Sequence, residues 1–363
     1  MFELLEGTKL SPVFSDDGVD CYRVTGREYQ NQYYVVSEEG TRKLLNTPEV
    51  VGFEVYSCLL KSTSRMMKYF KSEKLVSSAN ILSILRGALN YPLEESCYRD
   101  GIRVHDISFL SSERVFHDDE IAGLEIKYSK LAMVPDSTLL IGDIVATGDT
   151  LVHCLRYVTE HYRKHGAKLR NIILFTIGGN TGIEIMERLT KEIREFWPEF
   201  EGFIGVYYEG IFNTYKDKGV AGIQLPYVDF YWADGVLAPA YRKQSLDSRD
   251  ILFEKCIIYD GGARRYEISD HVKEVLEYWE DVLKLADQID FKAFTDERLG
   301  YPTPVSMEDW RAYNHYEELD DTLVTGLYEQ EKEYLKSLAG VTLKEIAEER
   351  IEQIEKALHK YML

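Results

Sequence analysis

Long apolar runs are missing from this chain. No stretch reaches the roughly eighteen residues that a membrane-spanning helix needs, so a span is not expected. The N-terminus, Met1-Phe2-Glu3-Leu4-Leu5-Glu6-Gly7, also lacks the basic start and apolar core of a secretory signal. Cysteine is scarce: Cys21, Cys58, Cys97, Cys154 and Cys256 are scattered singly, with no CxxC. That usage argues against a disulfide framework and a zinc site, and it suits a reducing cytoplasm, the expected location. Histidine gives no metal spacing either. His161 and His165 are four apart but have no third ligand nearby, as at an exposed helix end. Positive charge is in deficit, with 43 Lys and Arg against 62 Asp and Glu, a net charge of −19. Long-range attraction to nucleic acid or to an anionic membrane is therefore disfavoured, although a local basic pocket remains compatible.

The acid is unevenly spread. From Tyr266 onward there are 24 acidic and 11 basic residues, which is thirteen of the nineteen excess charges. Such a segment reads as a solvated helical face or a docking surface for a basic partner. The pattern divides the chain into three stretches. Residues 1–75 start with Tyr-rich alternation over Tyr22–Val36, read as a hairpin, followed by helical sequence from Pro48 to Phe70 with Met66, Met67 and Phe70 in the core. Residues 76–244 alternate apolar strands with helices, as a parallel sheet requires: 80–85, 102–110, 139–145, 171–177 and 203–208, with a helix over 181–196. Residues 245–363 carry helical stripes, among them Val272, Val275, Leu276 and Trp279. The capping box Thr342-Leu343-Lys344-Glu345 precedes the stripe Leu343, Ile346, Ile351, Ile354 and Leu358.

The most informative stretch is 138–151, Thr-Leu-Leu-Ile-Gly-Asp-Ile-Val-Ala-Thr-Gly-Asp-Thr-Leu. A buried strand leads into a short loop of small and hydroxyl residues, and an amphipathic helix begins behind it. A loop in that position presents backbone N–H groups to an anion. Gly148 lets the backbone come close, and Thr147 and Thr150 can donate to phosphate oxygens. Asp143, at the strand tip, can face sugar hydroxyls or a magnesium ion.

This stretch resembles the phosphoribosyl pyrophosphate (PRPP) motif of type I phosphoribosyltransferases. The resemblance implies that Asp143 takes the ribose and Mg2+, and that Ala146, Thr147, Gly148, Asp149 and Thr150 wrap the 5′-phosphate. Two positions depart from the family pattern. Gly142 stands where a first acidic residue is usual, and Asp149 where Gly or Lys is commoner. Relatives that use a base at the position of Ala146 have an Asp there, so this chain offers none. Residues 80–92 add a second apolar strand, ending in Arg86-Gly87-Ala88. This segment is similar to the ILRxG loop of the uracil-type members, where the strand end forms the pyrophosphate loop. Arg86 supplies a planar fork of donors, and Gly87 the backbone freedom to aim amides at an anion.

Residues 111–123 are polar and without sustained periodicity, and read as a long mobile loop. In the family a flexible hood occupies this place, which implies a lid with Arg114, Lys127 and Lys130 as its cations. The late aromatic segment 221–232 contains Asp229, which could hydrogen-bond a planar acceptor ring, or simply belong to a buried corner.

The expected fold is therefore α/β, a Rossmann-like parallel sheet of the type I phosphoribosyltransferase kind with an N-terminal hairpin and helix and a C-terminal helical extension. The implied activity is Mg2+-dependent transfer of the phosphoribosyl group from PRPP to a nitrogen acceptor, with Arg86 and Asp143 as catalytic residues. The alternative is a PRPP or nucleotide sensor that does not turn its ligand over. The striped C-terminal helices lead us to expect a homodimer or a protein partner.

Overall fold

The computed structural model describes residues 5–85, 88–117, 120–215, 219–225, 231–255 and 268–361. Three strands open it, β1 (Lys9–Asp16), β2 (Val19–Thr25) and β3 (Gln32–Glu38), followed by helices α1 (Glu39–Asn46) and α2 (Phe53–Ser72). The next segment runs β4 (Ser78–Leu85), α3 (Tyr91–Arg99), β5 (Arg103–His117), β6 (Glu120–Lys130) and β7 (Ser137–Val145). Then come α4 (Asp149–Lys164), β8 (Leu169–Gly179), α5 (Asn180–Arg194), β9 (Phe203–Tyr215) and β10 (Tyr231–Leu237). The helices α6 (Pro239–Gln244), α7 (Ile268–Leu285), α8 (Phe291–Leu299), α9 (Met307–Tyr313), α10 (Asp321–Ser337) and α11 (Leu343–Tyr361) complete the chain.

Among the described residues all ten strands share one sheet, in the order β1-β2-β3-β9-β8-β7-β4-β5-β6, with β10 paired to β9. Strands β3, β9, β8, β7, β4 and β5 are mutually parallel, and the flanking pairs are antiparallel. Parallel strands covered on both faces must be apolar at every position, and alternate residues show it. Leu139 and Ile141 join one core with Leu151, Leu155 and Ile183, whereas Leu140 joins the opposite core with Leu59 and Phe70. Helices α1 to α3 cover one face, and α4 and α5 cover the other together with the C-terminal helices.

The expected α/β sheet is present, and Met66, Met67 and Phe70 are fully buried. The N-terminal hairpin is the β2/β3 pair, and the helix expected from Pro48 starts at Phe53, with α1 as an additional helix before it. The loop reading of 111–123 is corrected. Its described residues form the arms of the β5/β6 hairpin, with Ser112 opposite Ile126 and Val115 opposite Gly123. Register shifts at Ser111/Ser112 and Val115/Phe116 break the two-residue alternation, which is why the strands left no periodic signal.

The expected capping box is also found: the Glu345 N–H donates to Thr342 Oγ1 at 3.2 Å, and the Thr342 N–H donates to Glu345 Oε2 at 2.8 Å. His165 caps the end of α4, its Nδ1 2.8 Å from the His161 carbonyl oxygen, as an exposed helix end implies. The described cysteines are buried and unpaired.

Candidate active site at the sheet switch point

In an open parallel sheet, a ligand crevice forms where neighbouring strands send their connections to opposite sides. Here that point lies between β4 and β7, which pair in parallel from Ala79↔Thr138 to Leu82↔Ile141. From β4 the chain passes to β5 on one side; from β7 it passes to β8 on the other. Both segments singled out in the sequence leave the sheet here. The described part of the first is the turn Ala88–Asn90 leading into α3, while Arg86 and Gly87 lie outside the described residues. The second is Ala146–Gly148 leading into α4.

Packing joins the two. The Gly142 N–H donates to Asn90 Oδ1 at 2.9 Å, and a Cβ at position 142 would overlap the Leu89 carbonyl. The departure at Gly142 is therefore steric as well as chemical: no side chain, acidic or otherwise, fits while the 88–90 turn keeps its place. Asn90 and Leu89 were not singled out in the sequence, because a contact across 52 residues has no local signature.

Asp143 follows at the strand end, half-buried, with Oδ1 accepting the Ile144 N–H at 2.9 Å. Its charge reaches into the core behind the loop. Burial pushes the Cys154 thiol up to about 11, and Asp143 adds to the rise, so this cysteine is no nucleophile at neutral pH. Gly148 is the N-cap of α4 with φ +74°, a left-handed conformation in which a Cβ would also strike Ile185. Thr147 and Asp149 are exposed, and Ala146 and Thr150 are half-buried. The positive ends of α4 and α5 both face this edge of the sheet.

Asp149 opposes an anion here. Two unit charges 4 Å apart repel by about 4 kcal/mol at an effective dielectric of 20, but by only about 1 kcal/mol in water. A helix N-terminus offers roughly 0.3–1 kcal/mol per charge, so only the exposed, solvated position of Asp149 keeps the loop compatible with phosphate.

A cavity of about 560 Å³ lies on the α5 side of the loop, lined by Thr147, Asp149, His153, Thr181, Glu184 and Arg188 among others, with Gly123 and Leu124 of the β5/β6 hairpin. None of its lining residues comes from the 88–90 turn. Within it Arg156 is already held by Glu192, at 2.9 and 2.7 Å.

The hairpin cations are less well placed. β5 leaves β4 at the pair Leu85↔Ser111, so Arg114 sits three residues, roughly 10 Å, beyond the sheet edge. Only its backbone is described. Lys127 is paired with Glu125 at 2.6 Å, and Lys130 stands opposite Phe109, two strands out from β4. Asp229 lies outside the described residues.

No group of three His, Cys, Asp or Glu able to hold a metal occurs among the described residues. Asp143 alone suits a magnesium ion that arrives with phosphate ligands, since Mg2+ commonly binds one or two carboxylates plus substrate phosphates.

No family model and no curated protein matches this chain. Several of its structural neighbours are phosphoribosyltransferases. One is a hypoxanthine phosphoribosyltransferase from Staphylococcus aureus, with TM-score 0.25 and 17% identity, covering 33% of this chain and 62% of that one. Another is the hypoxanthine-guanine enzyme of L. donovani, with TM-score 0.29 and 17% identity over 37% of this chain and 78% of that one. A hypothetical protein from Neisseria gonorrhoeae, solved with bound ppGpp, matches at TM-score 0.25 and 8% identity over 35% and 68%. Likeness at this level adds nothing to the topology already described. The two enzymes named are hypoxanthine-type, not uracil-type.

Proposed function

We propose that the chain binds PRPP with Mg2+ at the β4/β7 switch point and transfers the phosphoribosyl group to a nitrogen acceptor, a nucleobase or a related ring. The observation that carries this reading is the convergence of the 88–90 turn and the Asp143–Thr150 loop at the carboxyl ends of β4 and β7, joined by the Asn90–Gly142 hydrogen bond. In the reaction the bond from the anomeric carbon to pyrophosphate breaks, a carbon–nitrogen bond forms, and the acceptor nitrogen loses its proton. Mg2+, when bound, would neutralise the departing diphosphate. The residues would supply position and electrostatics. Asp143 would orient the ribose hydroxyls, the amides and hydroxyls of Ala146–Thr150 would hold the 5′-phosphate, and Arg86 with Gly87 and Ala88 would meet the pyrophosphate.

A second reading, a PRPP or nucleotide sensor without turnover, draws on Gly142, where packing leaves no space for a second carboxylate.

Titration calorimetry with PRPP and Mg2+, run beside a pyrophosphate-release assay over a panel of purines and pyrimidines, separates the two. Binding with release supports the enzyme, and binding without release supports the sensor. Neither binding nor release overturns both. Asp143→Asn should weaken PRPP binding under either reading and abolish product only under the first.

A further inference from the structure

Two neighbouring strands part at the switch point. β7 pairs with β4 only as far as Ile141, yet it continues beside β8 to Val145, while β4 continues beside β5 to Leu85. Beyond Ile141 the side of β7 that faced β4 therefore has no strand partner among the described residues. Amides two residues apart on a strand point the same way, and those of Gly142 and Ile144 both bond to side chains. The Ile144 N–H donates to Asp143 Oδ1, and the Gly142 N–H to Asn90 Oδ1, each at 2.9 Å. A buried amide left without a partner is costly, so the Asn90 side chain stands where the strand needs an acceptor.

Asn90 comes to that bond by giving up another. It is the N-cap of α3, where an Asn side chain ordinarily accepts an N–H of its own helix. Here Pro92 stands in the first turn without an N–H, and the Asn90 side chain makes no capping hydrogen bond. Only 7% exposed, it reaches across 52 residues of sequence to β7 instead. Leu89, fully buried beside it, touches the same place: a Cβ at 142 would overlap the Leu89 carbonyl and the Asn90 amide nitrogen. Turn and strand thus meet backbone to backbone, and the Asn90 side chain fixes their register. The bond acts one residue away from the Asp143 carboxylate.

We propose that Asn90 is a positioning residue for Asp143, holding it in register with the 88–90 turn through the Gly142 amide. The proposal rests on the PRPP reading, in which this turn follows the pyrophosphate contacts and Asp143 meets the ribose. It adds that one unit, not two independent loops, holds the two ends of the ligand. A displacement of about 1 Å at a group of this kind can cost about a hundredfold in rate, so a single buried hydrogen bond is enough to matter.

A double-mutant cycle in PRPP binding tests it, by calorimetry of the full chain with Mg2+, each variant held well below its melting transition. Asn90→Ala is expected to weaken PRPP about tenfold. With Asp143→Ala already present, the same substitution should weaken it by less than about twofold, because the group through which Asn90 acts is gone. Equal weakening in both backgrounds overturns the proposal, since Asn90 would then act apart from Asp143. A lowered urea midpoint with PRPP affinity unchanged overturns it too, and leaves a hydrogen bond that serves the fold alone. If Asn90→Ala fails to fold, Asn90→Ser takes its place. Serine can cap α3, but its oxygen lies one bond nearer the backbone and falls short of Gly142, so the same dependence on Asp143 is expected. Failure of the unaltered chain to bind PRPP overturns the PRPP reading and this role with it. PRPP bound, with the wrong pattern among the variants, overturns the role of Asn90 alone.

Discussion

Gly142 and Glu209 show how single residues set limits on this molecule. At 142 the Leu89 carbonyl occupies the space of a side chain. Gly142→Ala is expected to force the 88–90 turn away and to cost about 1–3 kcal/mol, read as a lowered urea midpoint. Introducing Asp there, to complete an acidic pair, should destabilise at least as much and should not improve PRPP binding in calorimetry. Glu209 sits in β9 with φ +64°, fully buried, where the pairing with β8 slips between Thr176 and Gly178. It accepts the Glu38 N–H at 2.9 Å and the Thr41 hydroxyl, while its Oε2 is unpartnered. Burial outweighs these hydrogen bonds and lifts its pKa to about 7. The folded state then holds a proton that the unfolded chain releases near the ordinary carboxylate range. Stability from this group is therefore present at low pH and lost as pH rises from about 4.5 through about 7. Glu209→Gln should remove that slope. The variant should gain on the unaltered chain between pH 5 and pH 8 in urea midpoints, and a constant difference would refute the assignment.

Among elements, the C-terminal helices are tied to one another and to the segment before α2 by two buried ionic networks. Arg242 of α6 meets Glu331 of α10 at 3.1 Å, both nearly inaccessible, and Tyr301 donates to the same carboxylate at 2.9 Å. Arg350 of α11 meets Glu254 and Glu49, each at 2.7 Å. Bringing such charges out of water offsets much of their attraction, but removing one partner strands the other. Glu331→Ala is expected to cost about 3–5 kcal/mol, whereas Arg242→Met/Glu331→Leu should recover most of that loss in chemical denaturation. Equal losses in both variants would show that packing, not the stranded charge, dominates. The β5/β6 hairpin differs in kind. Beyond Ser111 its described residues pair with no other strand of the sheet, and Gly123 and Leu124 line the cavity beside Thr147 and Asp149.

For the molecule as a whole, the C-terminal stripe has found its partner within the chain. Leu343, Ile346 and Ile354 are buried and belong to the same core as Val275 and Trp279 of α7. The stripe therefore gives no support to pairing of two copies. Light scattering of the full chain tests the homodimer directly, and a monomer mass retires it. Deleting residues 342–363 should uncover α7 and strand Glu254, so we expect aggregation or a large fall in melting temperature, not a well-folded protein of altered oligomeric mass. A soluble truncated chain with unchanged melting would contradict this packing.

What the sequence by itself determined is what short-range physics controls. The strand and loop around Asp143, the capping box at Thr342 and the apolar core strands were all readable, because each depends on a few consecutive residues. Tertiary structure decided the rest. The hairpin was hidden because its bulges break the alternation, and the steric role of Gly142 needed Leu89 to be brought against it. The fate of the C-terminal stripe was open for the same reason. An apolar helix face records only that something must cover it, and the choice between its own chain and another is made by long-range packing.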